Sequence, residues 1–164
     1  MTTEPVIPFE TTAHVRDACL CLHTQRAARA LARRFDEALR PAGLTNGQFS
    51  LLMALNRPEP APMGEVAVLL GADRTTLTAA LKPLVRRGLA EIAADASDSR
   101  VRRIALTDEG RARLAAALPH WTRTHAALEA ELDGADPARL RRDLLALSAP
   151  GADAPALCDI QETA

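Results

Sequence analysis

The stretch from residue 73 to residue 106 limits the fold of this chain more than any other part of the sequence. It begins with Asp73, a residue type that caps helices, and reaches Gly88, which can take the left-handed conformation that ends them. Between these two residues, three leucines recur at helical spacing and form one apolar stripe: Leu77, Leu81 and Leu84. The sequence therefore predicts a helix of about four turns here.

A second face of this predicted helix carries hydroxyls and cations but no acid. Thr75, Thr78 and Lys82 recur at helical spacing on it, and Arg74 lies beside them. A DNA recognition helix needs such side chains, because short donors fit in the major groove and cations pair with phosphates or guanine. A solvated helix face has the same pattern, so the helix alone leaves both interpretations open.

A predicted hairpin follows the helix and favours the DNA-binding interpretation. Residues 89–94 and 101–106 are apolar enough for two strands, and residues 95–100 between them are rich in Asp and Ser, as turns are. Three arginines cluster at the far end of the turn: Arg100, Arg102 and Arg103. A helix followed by a hairpin with a basic tip indicates a winged helix-turn-helix. In that arrangement the helix enters the major groove and the wing brings arginine to the adjacent minor groove.

Charge is unevenly distributed along the chain. The sequence has 20 Lys and Arg residues against 21 Asp and Glu residues, a formal net charge of −1, which by itself does not indicate a nucleic-acid binder. Basic residues nevertheless outnumber acids around the predicted helix and hairpin, and local patches steer binding. Because phosphates repel carboxylates, we expect Asp98 to pair with Arg100 or Arg102 and to hold the tip in shape.

Helices are predicted on both sides of this lobe, which spans residues 44–106. Residues 1–12 are predicted to be a flexible arm, and one long helix should follow and end before Pro41. Thr45 and Gln48 have the spacing of a capping box at the start of another helix. Thr107 should cap a helix with a coiled-coil-like apolar seam, and a last helix should precede a flexible tail over residues 150–164.

The predicted fold is mainly α, a winged helix-turn-helix with a two-stranded β wing. Residues 13–40 and 108–149 form the N- and C-terminal helical dimerisation region, because the first helix is apolar on several sides, as a helix packed against a second subunit would be. The predicted fold thus covers residues 13–149.

Several classes of function are not supported by the sequence. It contains no nucleophile–base–orienter set, no phosphate-binding glycine loop and no metal-ligand spacing, so we expect neither an enzyme nor a cofactor or metal. It has no signal peptide and no apolar run of about 18 residues, which predicts a cytoplasmic protein without a membrane partner. A winged-helix adaptor for another protein stays open, since the fold alone does not dictate DNA binding. The acid-free helix face and the basic wing argue against it.

Five segments together resemble the MarR family of transcriptional regulators. They read LTNGQFSLL (44–52), DRTTLT (73–78), RRGL (86–89), DASDSR (95–100) and LTDEG (106–110). The resemblance implies a triangular homodimer that binds a palindromic operator in double-stranded DNA, with its two recognition helices about one turn (~34 Å) apart. Many members repress their own or a neighbouring operon until a ligand or an oxidant releases them.

The resemblance also implies roles for particular residues. Carried over by position, five residues would face the major groove: Arg74, Thr75, Thr76, Thr78 and Lys82. Arg100 would be the wing-tip arginine, Asp98 would be its buttress, and Arg102 joins the predicted DNA-binding set from the basic cluster.

Two kinds of signal could release the DNA, and the sequence leaves both possible. MarR members that sense organic hydroperoxides use a cysteine in the first helix, and Cys19 or Cys21, with Cys158 as a resolving partner, resembles that arrangement. That branch holds its thiol with tyrosines, however, and this chain has none. The cysteines would otherwise be small buried hydrophobes at the dimer interface.

The other input is a small aromatic or amphipathic acid, which in the family binds between the dimer helices and the DNA-binding lobe. His23 and Arg26, together with His14 and Arg29, would supply the cation for its carboxylate. A metal is a poor alternative, because Cys19 and His23 share one side of a helix whereas Cys21 points nearly opposite.

Overall fold

The computed structural model describes residues 6–95, 97–98 and 100–148, and it is mainly helical. The helices are α1 (Phe9–Ala18), α2 (Leu20–Leu39), α3 (Asn46–Ala54), α4 (Met63–Leu69), α5 (Arg74–Arg86), α6 (Asp108–Glu131) and α7 (Pro137–Ser148). The strands are β1 (Ala61–Pro62), β2 (Ala90–Ala94) and β3 (Arg102–Leu106), and a 3-10 turn (Arg40–Ala42) follows α2.

Three of the predicted helix starts are confirmed by their capping contacts. Thr45 and Gln48 form the capping box before α3, each side chain accepting a hydrogen bond from the other residue's backbone N–H at 3.2 Å. Asp73 accepts from the N–H of Thr76 at 2.7 Å at the start of α5. Thr107 accepts from the N–H of Gly110 at 3.0 Å at the start of α6. These side chains satisfy N–H groups that the first turn of a helix leaves without partners.

The hairpin after α5 is present, but the sheet has three strands rather than the predicted two. β2 and β3 pair antiparallel, with Ile92 opposite Ile104. β1 pairs with the other edge of β3, with Ala61 opposite Ile104. β1 was not predicted from the sequence because it has only two residues and ends in a proline, Pro62. Proline is tolerated there because β1 is an edge strand.

The prediction of a single long first helix is wrong, because the chain forms two helices there. The backbone of Cys19 is extended, with φ −75° and ψ 104°, and it separates α1 from α2. The predicted arm over residues 1–12 is also too long, since Pro8 takes the N-cap position and helix begins at Phe9. Residues 1–5 and the predicted tail over 150–164 lie outside the described residues.

The core lies where α2, α3, α5 and α6 meet the sheet. Leu39, Leu52, Val66 and Leu84 are fully buried in it. Trp121 of α6 stacks against two phenylalanines of α2 and α3, Phe35 and Phe49, at ring-centroid distances of 6.4 and 6.1 Å. By contrast, α1 and α7 bury none of their side chains. In the described part of the chain, no helix is long and apolar enough to span a membrane.

Candidate nucleic-acid interface

Helix α5 presents an outer face directly opposite its buried stripe. Leu77, Leu81 and Leu84 each have at most 1% of their surface exposed. At about 100° per residue, the opposite side of the helix carries Thr75, Ala79, Lys82 and Arg86, and all four are exposed. This face combines small side chains with two cations, so it can approach a surface closely.

The three predicted threonines differ in the state of their hydroxyls. The Thr76 hydroxyl donates to the carboxylate of Asp73 at 3.0 Å, and the Thr78 hydroxyl donates to the carbonyl oxygen of Arg74 at 2.7 Å. Among the described residues, the Thr75 hydroxyl has no hydrogen-bond partner. Thr75 is therefore the threonine of this face whose donor remains available to a ligand.

Arg74 at the start of α5 and two arginines of the wing meet at one crevice. Arg100, Val101 and Arg102 form one side of it, and Met63 and Gly64 at the start of α4 lie on the other side. Its volume is about 340 Å³. Three arginines thus line one depression between helix and wing, and the acid that also lines it, Glu65, forms an ion pair with Arg57.

The cations of this surface are not neutralised by the protein. Within the described ranges, the side chains of Arg74, Lys82, Arg100 and Arg102 form no ion pair with an acid. All four side chains are exposed. They can therefore pair with external anions such as phosphate groups.

The predicted pairing of Asp98 with a wing arginine is wrong in detail. Asp98 accepts a hydrogen bond from the backbone N–H of Arg100 at 2.9 Å, and no ion pair between Asp98 and Arg100 or Arg102 is formed. The reason is geometric, because the carboxylate closes the tight turn two residues along the chain. Among the described residues, the Asp98 carboxylate thus supports the tip through a backbone contact.

The carboxylate at the centre of the wing is instead Asp95. It accepts hydrogen bonds from the backbone N–H groups of Ser97 at 2.8 Å and Asp98 at 3.1 Å, and from the Ser97 hydroxyl at 2.5 Å. It also forms an ion pair with the guanidinium of Arg103. The Ser97 hydroxyl, the Arg103 guanidinium and the two backbone donors together hold the pKa of the Asp95 carboxyl far below its usual range.

Arg103 therefore has a different role from Arg100 and Arg102, with which the sequence groups it. Its Nε donates to Asp95, and its second guanidinium nitrogen donates to the carbonyl oxygen of Pro60 at 3.0 Å. The carboxylate of Asp95 raises the pKa of the Arg103 guanidinium. Sequence reasoning missed this function because the partners are 8 and 43 positions away in the chain.

Two further arginines were not singled out from the sequence, although they connect the lobe to the long helices. Arg87, just after α5, donates to the carbonyl oxygen of Gly43 at 2.9 Å and to the side chain of Gln48 at 3.3 Å. Arg113 of α6 donates to the carbonyl oxygen of Ala42 at 3.4 Å. Both side chains therefore hold the turn that follows α2.

The candidate sensor residues do not converge on one site. The sulfur of Cys19 accepts from the N–H of Leu22 at 3.4 Å, whereas the exposed Cys21 sulfur lies 3.2 Å from the amide nitrogen of Gln25. The His23 ring lies 3.1 Å from the carbonyl oxygen of Asp17. Over the residues that the structure describes, no group of three or more His, Cys, Asp or Glu side chains is placed to hold a metal ion. Arg26 is exposed on α2, and Cys158 lies outside the described residues.

Comparison with known proteins assigns this architecture to a class. The structure matches the transcriptional regulator MosR of M. tuberculosis in complex with DNA, with 45% sequence identity, a TM-score of 0.73, and coverage of 79% of this chain and 93% of that chain. It also matches the transcriptional repressor CouR bound to a 23-mer DNA duplex, with 32% identity, a TM-score of 0.66, and coverage of 81% and 92%. The fold and its basic surface therefore define a winged-helix, DNA-binding transcriptional regulator rather than an enzyme.

Sequence comparison gives the family. The protein-family model described as "MarR family" matches residues 42–101. The regulator TtmR of Methylorubrum extorquens (strain PA1) is 36% identical over 95 residues, which are 58% of this chain and 49% of TtmR. The match thus spans about half the length of that relative. Together with the extensive likeness to MosR, this shows that the chain belongs to the MarR family.

Proposed function

We propose that this protein is a cytoplasmic repressor that binds a palindromic operator as a homodimer and leaves it when a small ligand binds. The observation that carries DNA binding is the convergence of Arg74, Arg100 and Arg102 at one crevice between helix and wing. Like charges repel, and the acid at this depression, Glu65, pairs with Arg57 instead. Three arginines that form no ion pair with a described residue therefore favour a polyanionic partner.

The exposed face of α5 supports the same partner. Thr75, Ala79 and Lys82 have short or extended side chains on one face, as a helix lying in the major groove requires. Arg100 would then reach the neighbouring minor groove from the wing. Thr76 and Thr78 would contact DNA through their methyl groups or hydroxyl lone pairs, since their hydroxyl protons are used within the protein.

Exposed leucines at the C-terminus support the homodimer. Four leucines of α7 are 42–62% exposed: Leu140, Leu144, Leu145 and Leu147. On α1 and at its N-terminal side, Ile7 and Phe9 are more than 70% exposed. Large apolar side chains left exposed on two helices indicate an interface, and a second copy of the chain would cover them.

DNA binding is tested with the DNA immediately upstream of the protein's own gene, by fluorescence anisotropy over a series of salt concentrations. If Arg74, Lys82, Arg100 and Arg102 of each protomer contact phosphates, the slope of log K against log salt should be about −7 for a dimer. Arg100→Ala should weaken binding and reduce the magnitude of this slope by about 2, while the dimer stays folded. Full affinity in this variant would remove the wing from the mechanism, and binding without salt dependence would favour the adaptor alternative.

The dimer is tested by sedimentation of the wild type and of Leu144→Glu. A charge at this position should favour the monomer, because it would have to be buried without a partner. Ala146→Glu adds the same charge at an exposed position on the opposite face of the same helix, so it is the matched control and should leave the dimer intact. A wild-type monomer at micromolar concentration would contradict this part of the proposal.

A small aromatic ligand is supported by one relative. A second CouR structure, of the protein from Rhodococcus jostii RHA1 bound to p-coumaroyl-CoA, matches this chain with 25% identity in its own alignment. By analogy, the exposed cations Arg26 and Arg29 on α2 would bind the anionic group of such a ligand. Aromatic acids that lower operator affinity in the wild type but not in Arg26→Ala would support this assignment.

The position of Cys19 supports thiol-based redox sensing as a second candidate. Its sulfur caps the first turn of α2, at the break between α1 and α2. A hydroperoxide would transfer one oxygen to the Cys19 thiol, forming a sulfenic acid and releasing an alcohol, and the larger group would disturb the cap. Cys19→Ser should then bind DNA in oxidant and reductant alike, with Cys21→Ser as the matched control. Operator binding of the wild type that resists oxidant would refute this candidate.

A further inference from the structure

We propose that Asp95 and Arg103 are positioning residues that hold the wing in its DNA-binding orientation without touching DNA themselves. This inference rests on the proposed DNA binding. The pair lies at the base of the wing tip, where only 9% of the Asp95 side chain is exposed. Arg103 connects this carboxylate to the carbonyl oxygen of Pro60, in the loop just before β1.

Asp95 determines the shape of the tip. Its carboxylate accepts from the N–H groups of Ser97 and Asp98, and its own N–H donates to the carbonyl oxygen of Val101 at 2.9 Å. The Val101 N–H in turn donates to the carbonyl oxygen of Asp98 at 2.9 Å. These bonds close the loop that contains Arg100, and they fix the backbone from which Arg100 and Arg102 project.

Arg103 determines where this loop lies relative to the rest of the lobe. β1 pairs with β3 through only two residue pairs, one of which places Pro62 opposite Arg103. Proline has no N–H to donate, so this edge is weakly held by the backbone. The bond from Arg103 to the Pro60 carbonyl oxygen adds a side-chain link, and the same guanidinium also holds Asp95.

Electrostatics explains why the wing needs such a link. Arg100 and Arg102 lie at the same crevice as Arg74, and the acid that also lines it, Glu65, is paired with Arg57. Before DNA binds, the like charges of the three arginines therefore disfavour a close approach of the wing to α5. A wing that is already in position loses less conformational freedom on binding than a mobile one. The Asp95–Arg103 pair thus contributes to affinity through Arg100 and Arg102.

The test compares operator binding by Asp95→Asn, Arg103→Lys and Glu91→Gln in the full chain. Glu91 lies exposed on β2 and forms no ion pair or side-chain hydrogen bond among the described residues, so it is the matched control. Removing an acid near DNA should by charge alone strengthen binding, and Glu91→Gln should do so slightly. Asp95→Asn makes the same charge change but should weaken binding, on the order of tenfold, with a salt slope smaller in magnitude by about 1 to 4.

Arg103→Lys keeps the charge but not the fork that reaches two acceptors at once, so it should also weaken binding. Footprinting distinguishes a misplaced wing from a general loss of stability. In Asp95→Asn, protection of the minor groove by the wing should be lost, while methylation interference at guanines in the major groove persists. Thermal unfolding of each variant shows whether the fold is intact.

The possible results separate the two proposals. If the wild type binds its operator and Asp95→Asn binds equally well, or more tightly like Glu91→Gln, the positioning role is refuted while DNA binding stands. If Asp95→Asn loses major-groove and minor-groove protection together, Asp95 supports the whole lobe and the positioning role is again refuted. If the wild type binds neither its upstream DNA nor any member of a random duplex pool, the proposed function itself fails and this inference with it.

Discussion

The contact between Gly110 and Leu89 yields the most direct prediction about stability. Gly110 is buried in the first turn of α6, where this helix lies against Leu89, the residue between Gly88 and β2. A Cβ atom added at Gly110 would lie 2.0 Å from the carbonyl oxygen of Leu89 and 2.9 Å from its carbonyl carbon. Backbone atoms cannot turn aside as a flexible side chain can, so Gly110→Ala requires α6 to move.

The magnitude follows from two opposing effects. Relieving the contact needs a displacement of about 1 Å in a region packed as densely as a crystal, and overpacking of this kind costs up to about 3 kcal/mol. The displacement also strains the bond from the Thr107 hydroxyl to the carbonyl oxygen of Gly88, which is 2.6 Å long. Alanine regains about 1 kcal/mol of helix propensity. The net loss in free energy of unfolding should therefore be about 2 kcal/mol, or a Tm lower by about 4–8 °C.

The assay is thermal and urea unfolding of Gly110→Ala beside Gly47→Ala. Gly47 also lies in the first turn of a helix, α3, but a Cβ there meets nothing within 4 Å. Gly47→Ala should therefore be neutral or stabilising by up to about 1 kcal/mol. If Gly110→Ala is as stable as Gly47→Ala, α6 does not lie against Leu89 as the structure places it, and the reasoning is refuted.

Three other substitutions test the caps, the wing and the recognition face. Thr45→Ala removes the capping box of α3 and should lower the free energy of unfolding by about 1 kcal/mol, measured by urea titration. Asp95 stabilises the fold above its ordinary pKa of about 3.9, and this stability is lost as the pH falls toward its lowered folded pKa. The Tm of Asp95→Asn should therefore fall less than that of the wild type as the pH is lowered below about 4, and an equal fall in both proteins would contradict this. Thr75→Ala should weaken operator binding more than Thr76→Ala in anisotropy titrations, because only the Thr75 hydroxyl is unoccupied; the reverse order would exclude this assignment.

The features that the sequence predicted correctly depend on neighbouring residues. The caps at Thr45, Asp73 and Thr107 bind N–H groups within three positions, and Gly88 adopts the positive φ of 67° that ends α5. Such signals are readable because side-chain type and local spacing determine them. The apolar stripe of α5 was equally readable, because helical periodicity needs no knowledge of the partner.

The features that the sequence did not reveal depend on distant residues or on a single backbone conformation. The extended backbone at Cys19 occurs without a proline or glycine at that position, so nothing in the local pattern marks the break between α1 and α2. Asp98 has the spacing of a wing buttress, whereas Asp95 takes that role only because β2 and β3 bring Arg103 beside it. β1 becomes a strand only because β3 offers it a free edge.

The same distinction applies to the candidate sites. The basic residues of the helix and wing were identified from composition and order, and the structure places Arg74 beside Arg100 and Arg102. The candidate sensor residues have no comparable arrangement, because Cys19, Cys21 and His23 each contact a different partner. The effector therefore has to be found by experiment on the operator complex.

The most direct test of the central claim is a hydroxyl-radical and methylation footprint of the full chain on the DNA upstream of its gene. A homodimer that places α5 of each protomer in the major groove should protect two symmetry-related segments about one helical turn, or ~10 base pairs, apart. The wing arginines should add minor-groove protection outside each segment. A single protected segment without symmetry would contradict the account. So would the absence of any protection at a protein concentration at which the dimer is fully formed.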